Sequence, residues 1–255
     1  MNAFAALTLN GFREARRNRV TLLIAGFALV LLLCSTLLAD VSIASIERVL
    51  VDMGLSGMSL MLVVLAIFLS TSQLGREIER RTIFMIVSKP VSRATFILGR
   101  MAGNMLTLAV LLLAMAAIFW VELALFGYPM RAQYGVAIAA LYVELAVLSS
   151  VGFAMSSFAG PIVSAMVTAG VYLAGHLSGD IYRLGESAQS AFLTAIAKGV
   201  YYLLPNLDRL NFRPHATYLI DISGADLGLS VLYAIAYAGI MLSLSVLFFA
   251  RRDFK

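Results

Sequence analysis

Residues 20–39 carry no charged side chain, and a helix of that length rises about 30 Å, the thickness of a bilayer's hydrocarbon core. Runs of the same kind recur at 55–74, 101–126, 135–157, 162–177 and 227–250. A chain with six such runs must satisfy its backbone groups within each run, because hydrocarbon supplies no partners. The expected fold class is therefore all-α integral membrane, a single transmembrane domain over residues 1–255. Composition agrees: 61% of the residues are hydrophobic and 13% charged, about half the charge of a soluble domain. The net charge of +5 does not point to nucleic acid, since the basic residues stand at the ends of the apolar runs. Cys34 is the only cysteine and lies inside a run, so no internal disulfide can form. The basic N-terminal segment precedes a run too long for a signal-peptide core, so 20–39 is expected to be an uncleaved first span.

Charge sets the expected orientation. Arg13, Arg16, Arg17 and Arg19 precede the first span. Arg76, Arg80, Arg81, Lys89, Arg93 and Arg100 lie between the second and third, and Arg251, Arg252 and Lys255 follow the last. Placing these on the cytoplasmic side leaves only Arg48, Arg131, Arg183, Lys198, Arg209 and Arg213 outside. Both termini are then cytoplasmic. Residues 1–19 are expected to form an amphipathic segment along the membrane surface, and 40–53 an outer loop. The excursion 178–225 is too polar to be membrane throughout. Its 188–204 stretch repeats Phe192, Ile196, Val200 and Leu203 at helical spacing but is interrupted by Lys198. A seventh span there would place the C-terminus outside, so it is expected to be an outer interfacial or re-entrant helix before the last span.

The cytoplasmic loop 75–100 is not a plain linker. Ile78, Ile83, Phe84, Ile86 and Val87 give it an apolar side, and Pro90 divides it. Such a segment offers a docking surface, or alternatively parks its apolar face among lipid headgroups.

The motifs of several chemistries are missing. None of Lys89, Lys198 and Lys255 stands in a G-x-x-x-x-G-K-[ST] loop, and neither G-x-G-x-x-G, H-E-x-x-H nor C-x-x-C occurs. His176 and His215 lack ligand spacing, and His176 reads as a packed or interfacial side chain. The twelve methionines, most of them scattered through the spans, read as gap filling. Two acids fall inside runs. Glu144 lies near the middle of the fourth, where a carboxylate costs roughly 2.5–3.5 kcal/mol to insert. It is expected to face the protein interior, uncharged unless paired. The serines Ser59, Ser149 and Ser150 are candidate donors. Glu144 serves either as a helix–helix hydrogen bond or as a wall of a translocation path that can bind a proton. Glu122, near the outer end of the third run, suits the helix–helix role.

Six spans, cytoplasmic ends and this loop together resemble the permease subunits of ABC-2 type transporters. In that family the first cytoplasmic loop reads E-x-x-x-G-T-hydrophobic, then S-x-P-V-S-R, then G-K or G-R. Here Glu77 and Glu79, Thr82-Ile83, Ser88-Lys89-Pro90-Val91-Ser92-Arg93 and Gly99-Arg100 occupy those places, with Arg81 where the family usually has glycine. The segment Leu204-Pro205-Asn206-Leu207-Asp208 is similar to the subgroup containing the permease of the nitrous-oxide-reductase maturation transporter.

The resemblance implies a role for each part. Glu77, Glu79, Thr82, Ile83, Phe84, Ile86, Val87 and Pro90 would belong to a coupling helix seated in a groove of a separate ABC ATPase subunit. That partner would bind ATP and magnesium, leaving no cofactor in this chain and no catalysis of its own. The N-terminal segment would brace the same ATPase, and the excursion would cap the outer side of the pathway. A second copy would complete a C2 dimer in a bacterial-type cytoplasmic (inner) membrane. Export driven by ATP hydrolysis is the leading function. The alternatives are a non-transporting anchor that transmits ATPase motion to an extracytoplasmic partner protein, and a membrane-embedded enzyme using Glu144 or His176 as acid or base.

Overall fold

A computed structural model describes residues 3–16, 24, 26–31, 33, 46–79, 92–187 and 190–251. Among the described residues every regular element is a helix. In chain order these are α1 (Ala3–Arg16), α2 (Ile46–Glu79), α3 (Arg93–Leu125), α4 (Ala132–Ser156), α5 (Pro161–His176), α6 (Ser178–Ser187), α7 (Ala191–Leu203), α8 (Arg213–Tyr218) and α9 (Gly224–Arg251). A 3₁₀ turn, Leu207–Leu210, lies between α7 and α8. Helical residues also occur at 24, 26–31 and 33, within the first apolar run.

Among the described residues, four helical stretches are long and apolar enough to cross a bilayer: Ile46–Ser72, Arg93–Leu125, Ala132–Ser156 and Gly224–Ala250. A fifth crossing is available if α5 and α6, bent by 61° at Leu177, act as one. The chain is thus a multi-pass membrane protein, all-helical among the described residues. Two segments differ from expectation. The outer loop expected over 40–53 is helical from Ile46 onward, and the 75–100 loop is shortened from both ends, with α2 running on to Glu79 and α3 starting at Arg93.

Local chemistry sets the helix ends. Ser92 caps α3 by accepting from the Thr95 amide at 3.1 Å. At the other end of α3, Gly127 turns the chain at φ 74°, which only glycine adopts without strain, and the Tyr128 amide reaches back to the Leu123 carbonyl at 2.9 Å. Pro161 opens α5 behind Gly160, where a missing N–H costs nothing.

The core sits around α4, which packs on α2, α3, α5 and α9. In the most apolar window of α4, 67% of the residues are buried, against 11% in α9, so α4 is central and α9 peripheral. The largest buried cluster joins Leu55, Met58 and Leu62 of α2, Leu108, Met115 and Phe119 of α3, and Leu141, Leu145 and Leu148 of α4. Close approach comes from small residues. A side chain at Gly152 of α4 would overlap Ser70 of α2, and the Ser157 and Ser245 hydroxyls hydrogen-bond at 2.7 Å.

The two ends of the bundle are held by charges. At one, Glu47 accepts from Tyr134 Oη at 2.9 Å and pairs with Arg131 Nε at 3.3 Å. The hydrogen bond to Glu47 pushes the Arg131 guanidinium further above its ordinary range. At the other, Arg93 Nη1 donates to the carbonyls of Phe249 and Ala250 at 3.0 and 2.6 Å. These are among the last carbonyls of α9, which have no helical partner and carry its negative dipole end. Phe96 stacks on Phe249 beside this contact, with ring centroids 5.7 Å apart.

Candidate functional site

α1 does not merely lie beside the bundle. It packs on the first turns of α3 through Gly11, Gly99 and Gly103. A Cβ at Gly103 would stand 2.8 Å from the Thr8 carbonyl oxygen, and one at Gly99 2.9 Å from Leu7 Cβ. Thr8 Oγ1 also donates to the Gly99 carbonyl at 3.4 Å. Gly99 and Gly103, four apart, form the small-x-x-x-small pattern that lets helix backbones touch. Leu7 joins Phe96, Ile97, Met101, Phe153 and Phe249 in a second buried cluster. The first turns of α3 are therefore tied to α9 by Arg93 and to α1 by Gly99 and Gly103. Within the loop, Glu77 and Glu79 fall in the last turn of α2, while Thr82, Ile83, Phe84, Ile86, Val87 and Pro90 lie outside the described residues.

The second site is polar and buried. Glu144, 1% exposed, projects from the middle of α4. Its carboxyl does not meet the expected serines. Ser149 instead accepts from Asn104 Nδ2 at 3.3 Å, Ser150 donates to the Val147 carbonyl at 2.6 Å, and the Ser59 hydroxyl has no hydrogen-bond partner among the described residues. Glu144 Oε1 lies 3.5 Å from His176 Nε2, at the last residue of α5. That is long for a hydrogen bond, and neither atom has a hydrogen-bond partner among the described residues. His176 Nδ1 is 3.2 Å from the Tyr172 carbonyl oxygen one turn back.

What brings a cation near Glu144 is the stretch after α7. Pro205 ends the α7 connection, and Asn206 caps the 3₁₀ turn by accepting from the Arg209 amide at 3.4 Å. Leu207 and Leu210, 0% and 1% exposed, then pack against Val147 of α4 and Ala234 of α9. Val147 is one turn beyond Glu144, so this stretch reaches the depth of the acid. A small cavity of about 10 Å³, roughly room for one water, lies between Glu144, Leu141 and Ala137 of α4, Leu55 of α2, and Leu210, Asn211, Phe212 and Arg213. Arg213 Nε donates to Asn211 Oδ1 at 2.9 Å, which fixes the guanidinium plane. Arg213 and Glu144 thus line the same cavity. The excursion 178–225 folds back and brings a cation to the cavity beside Glu144.

Two further sequence candidates resolve differently. Glu122 is 2% exposed, and neither carboxyl oxygen has a hydrogen-bond partner among the described residues, so no helix–helix bond is seen there. Lys198 is exposed on α7, whose partner is α6. That pair meets at Gly185 against Ala197, and Thr194 Oγ1 donates to the Gly185 carbonyl at 2.8 Å. Among the described residues no group of three metal-ligating side chains is gathered.

The chain matches the ABC-2 family transporter proteins over residues 5–254 and belongs to that family. A comparison with curated proteins found no match.

Proposed function

We propose that this chain is the transmembrane subunit of an ABC-2 transporter, driven by ATP hydrolysis on a separate ATPase and moving its substrate outward. The observation that carries this reading is the family match over nearly the whole length. The geometry supports it. Arg93, α1 and the end of α9 gather at the end of the bundle from which the 75–100 loop emerges, so a push on that loop would reach α3, α4 and α9 together. Six spans with cytoplasmic ends, a C2 pair of copies in an inner membrane, and an outer cap formed by 178–225 complete the proposal. Glu144 then lies on the wall of the path between the halves. The Leu204–Asp208 sequence favours the subgroup of the nitrous-oxide-reductase maturation permease.

The test is on the loop. With the chain co-expressed with its ATPase, Phe84→Asp combined with Ile86→Asp should leave membrane insertion intact and reduce co-purification of the ATPase to background. A complex of unchanged yield would remove the docking role from these residues. Orientation is tested separately with tags. Those after Lys255 and at Ser92 should be reached only from the cytoplasm, and one at Ser187 only from outside. Lys255 reached from outside would refute the six-span arrangement.

A further inference from the structure

Glu144 and His176 face each other across α4 and α5, and the hydrogen-bonding roles of the imidazole decide what lies between them. His176 Nδ1 is 3.2 Å from the Tyr172 carbonyl oxygen. A carbonyl only accepts, so Nδ1 must carry a proton. In a neutral ring Nε2 is then a bare lone pair, pointed at Glu144 Oε1 at 3.5 Å. A carboxylate oxygen and a bare nitrogen repel. The contact is attractive in only two forms: a carboxylic acid donating to Nε2, or an imidazolium donating to a carboxylate. Both forms hold the same number of protons, and burial favours the uncharged one, in which the carboxylic acid donates to Nε2.

We propose that Glu144 and His176 together form a binding site for a single proton, and that its release passes Glu144 from His176 of α5 to Arg213 of the stretch after α7. The balance is simple. The pair with its proton is neutral. Loss of one proton to water leaves a carboxylate and a neutral Nδ1–H imidazole, with a net charge of −1. The proton leaves by the imidazole, whose side chain is 18% exposed against 2% for Glu144. The remaining buried carboxylate needs a counter-charge. Arg213 already lines the same small cavity as Glu144, held by Asn211.

Among the described residues, the other groups around the pair do not supply an alternative partner. α2 presents Leu55, and its nearest acid, Asp52, accepts from Thr217 Oγ1 at 3.5 Å. α5 contributes Tyr172, whose ring centroid is 4.6 Å from that of His176. α8 contributes His215, turned against Phe212 at 5.4 Å between ring centroids. Asp208 lies in the 3₁₀ turn, and Arg213, on the shared cavity, is placed to pair with the carboxylate of the released form. Proton occupancy thus decides whether α4 is bonded to α5 or to the stretch that packs beside it.

The chain has only two histidines, so the protein in lipid nanodiscs, labelled with ¹⁵N-histidine, gives a spectrum that His215→Gln assigns. Across a pH titration, the His176 Nδ1 signal should stay protonated. The Nε2 signal should change in the same step in which infrared absorption shows the protonated carboxyl band of Glu144 disappear. In Glu144→Gln the amide can still donate to Nε2, so that band should be absent and Nε2 should hold one position throughout. In Arg213→Gln the carboxyl band should persist through the range in which the unsubstituted protein loses it. A neutral ring with the proton on Nε2 would overturn the proposal, as would a His176 that titrates identically with and without Glu144. The tautomer is read in the unsubstituted protein, so the proposal stays refutable even if a variant misfolds.

Discussion

Gly103→Leu should release α1 from α3 while the membrane bundle stays folded. The three atoms nearest to a Cβ at this position are the Thr8 carbonyl oxygen at 2.8 Å, Gly11 Cα at 3.3 Å and the Phe12 amide nitrogen at 3.4 Å. All three belong to the α1 backbone, so no side chain can swing away, and α1 itself must move. The contact also includes Gly99, so relief by sliding α1 along α3 would bring Leu7 into collision there. Overpacking of this kind costs about 1–3 kcal/mol, which lowers the equilibrium constant for docking α1 by about fivefold to 150-fold. Hydrogen exchange should show protection lost over residues 3–16 and retained in α4. Gly170→Ala is the control, because nothing lies within 4 Å of a Cβ there. Equal protection of α1 in both variants would mean that the glycine contact does not hold it. If α1 also braces the ATPase, Gly103→Leu should weaken that complex too.

This contact shows how far the sequence could be read. Gly99-Arg100 and Ser92-Arg93 stood out as part of a loop signature, but a signature gives no reason for its residues. The structure supplies one for three of them: Ser92 caps α3, Arg93 satisfies the last carbonyls of α9, and Gly99 admits α1. Helix ends were legible where the chemistry is local, as at Pro161 or at the Gly127 turn. The start of α2 at Ile46 was not, because Glu47, Arg48 and Asp52 made the segment look like a loop. Glu47 is accommodated there by Arg131 and Tyr134 from the following hairpin. The partner of Glu144 was half legible. Glu144 stands twelve residues before the end of α4 and His176 fifteen after the start of α5, about 18 and 22 Å from a common turn. Antiparallel helices would put them at similar depth. That Arg213 also arrives there depends on how Pro205–Phe212 folds back, which no periodicity records. The coupling residues Ile83, Phe84, Ile86 and Val87 lie outside the described residues, and their role rests on the resemblance and its test.

The larger expected effect is at Gly175, the residue before His176. A Cβ there would stand 2.6 Å from the Pro205 carbonyl oxygen and 3.0 and 3.1 Å from Leu207 Cγ and Cδ1. Gly175→Leu should therefore lift the 3₁₀ turn off α5, and with it Leu207, Leu210 and the approach of Arg213 to Glu144. Leu207 and Leu210 are almost wholly buried, so their packing contacts are lost together. The cost should reach about 3 kcal/mol, the upper part of the overpacking range, and appear as a lower thermal midpoint in detergent or nanodiscs. Two comparisons make the cause specific. Gly170→Leu, on the same helix where no atom opposes a Cβ, should leave the midpoint nearly unchanged. Leu207→Ala added to Gly175→Leu should restore only part of the loss, because it removes the flexible obstacle and leaves the Pro205 carbonyl. Full restoration would show that Leu207 alone opposes the new side chain. Equal midpoints for Gly175→Leu and Gly170→Leu would show that the stretch after α7 is not seated on α5. Arg213 would then have no fixed approach to Glu144.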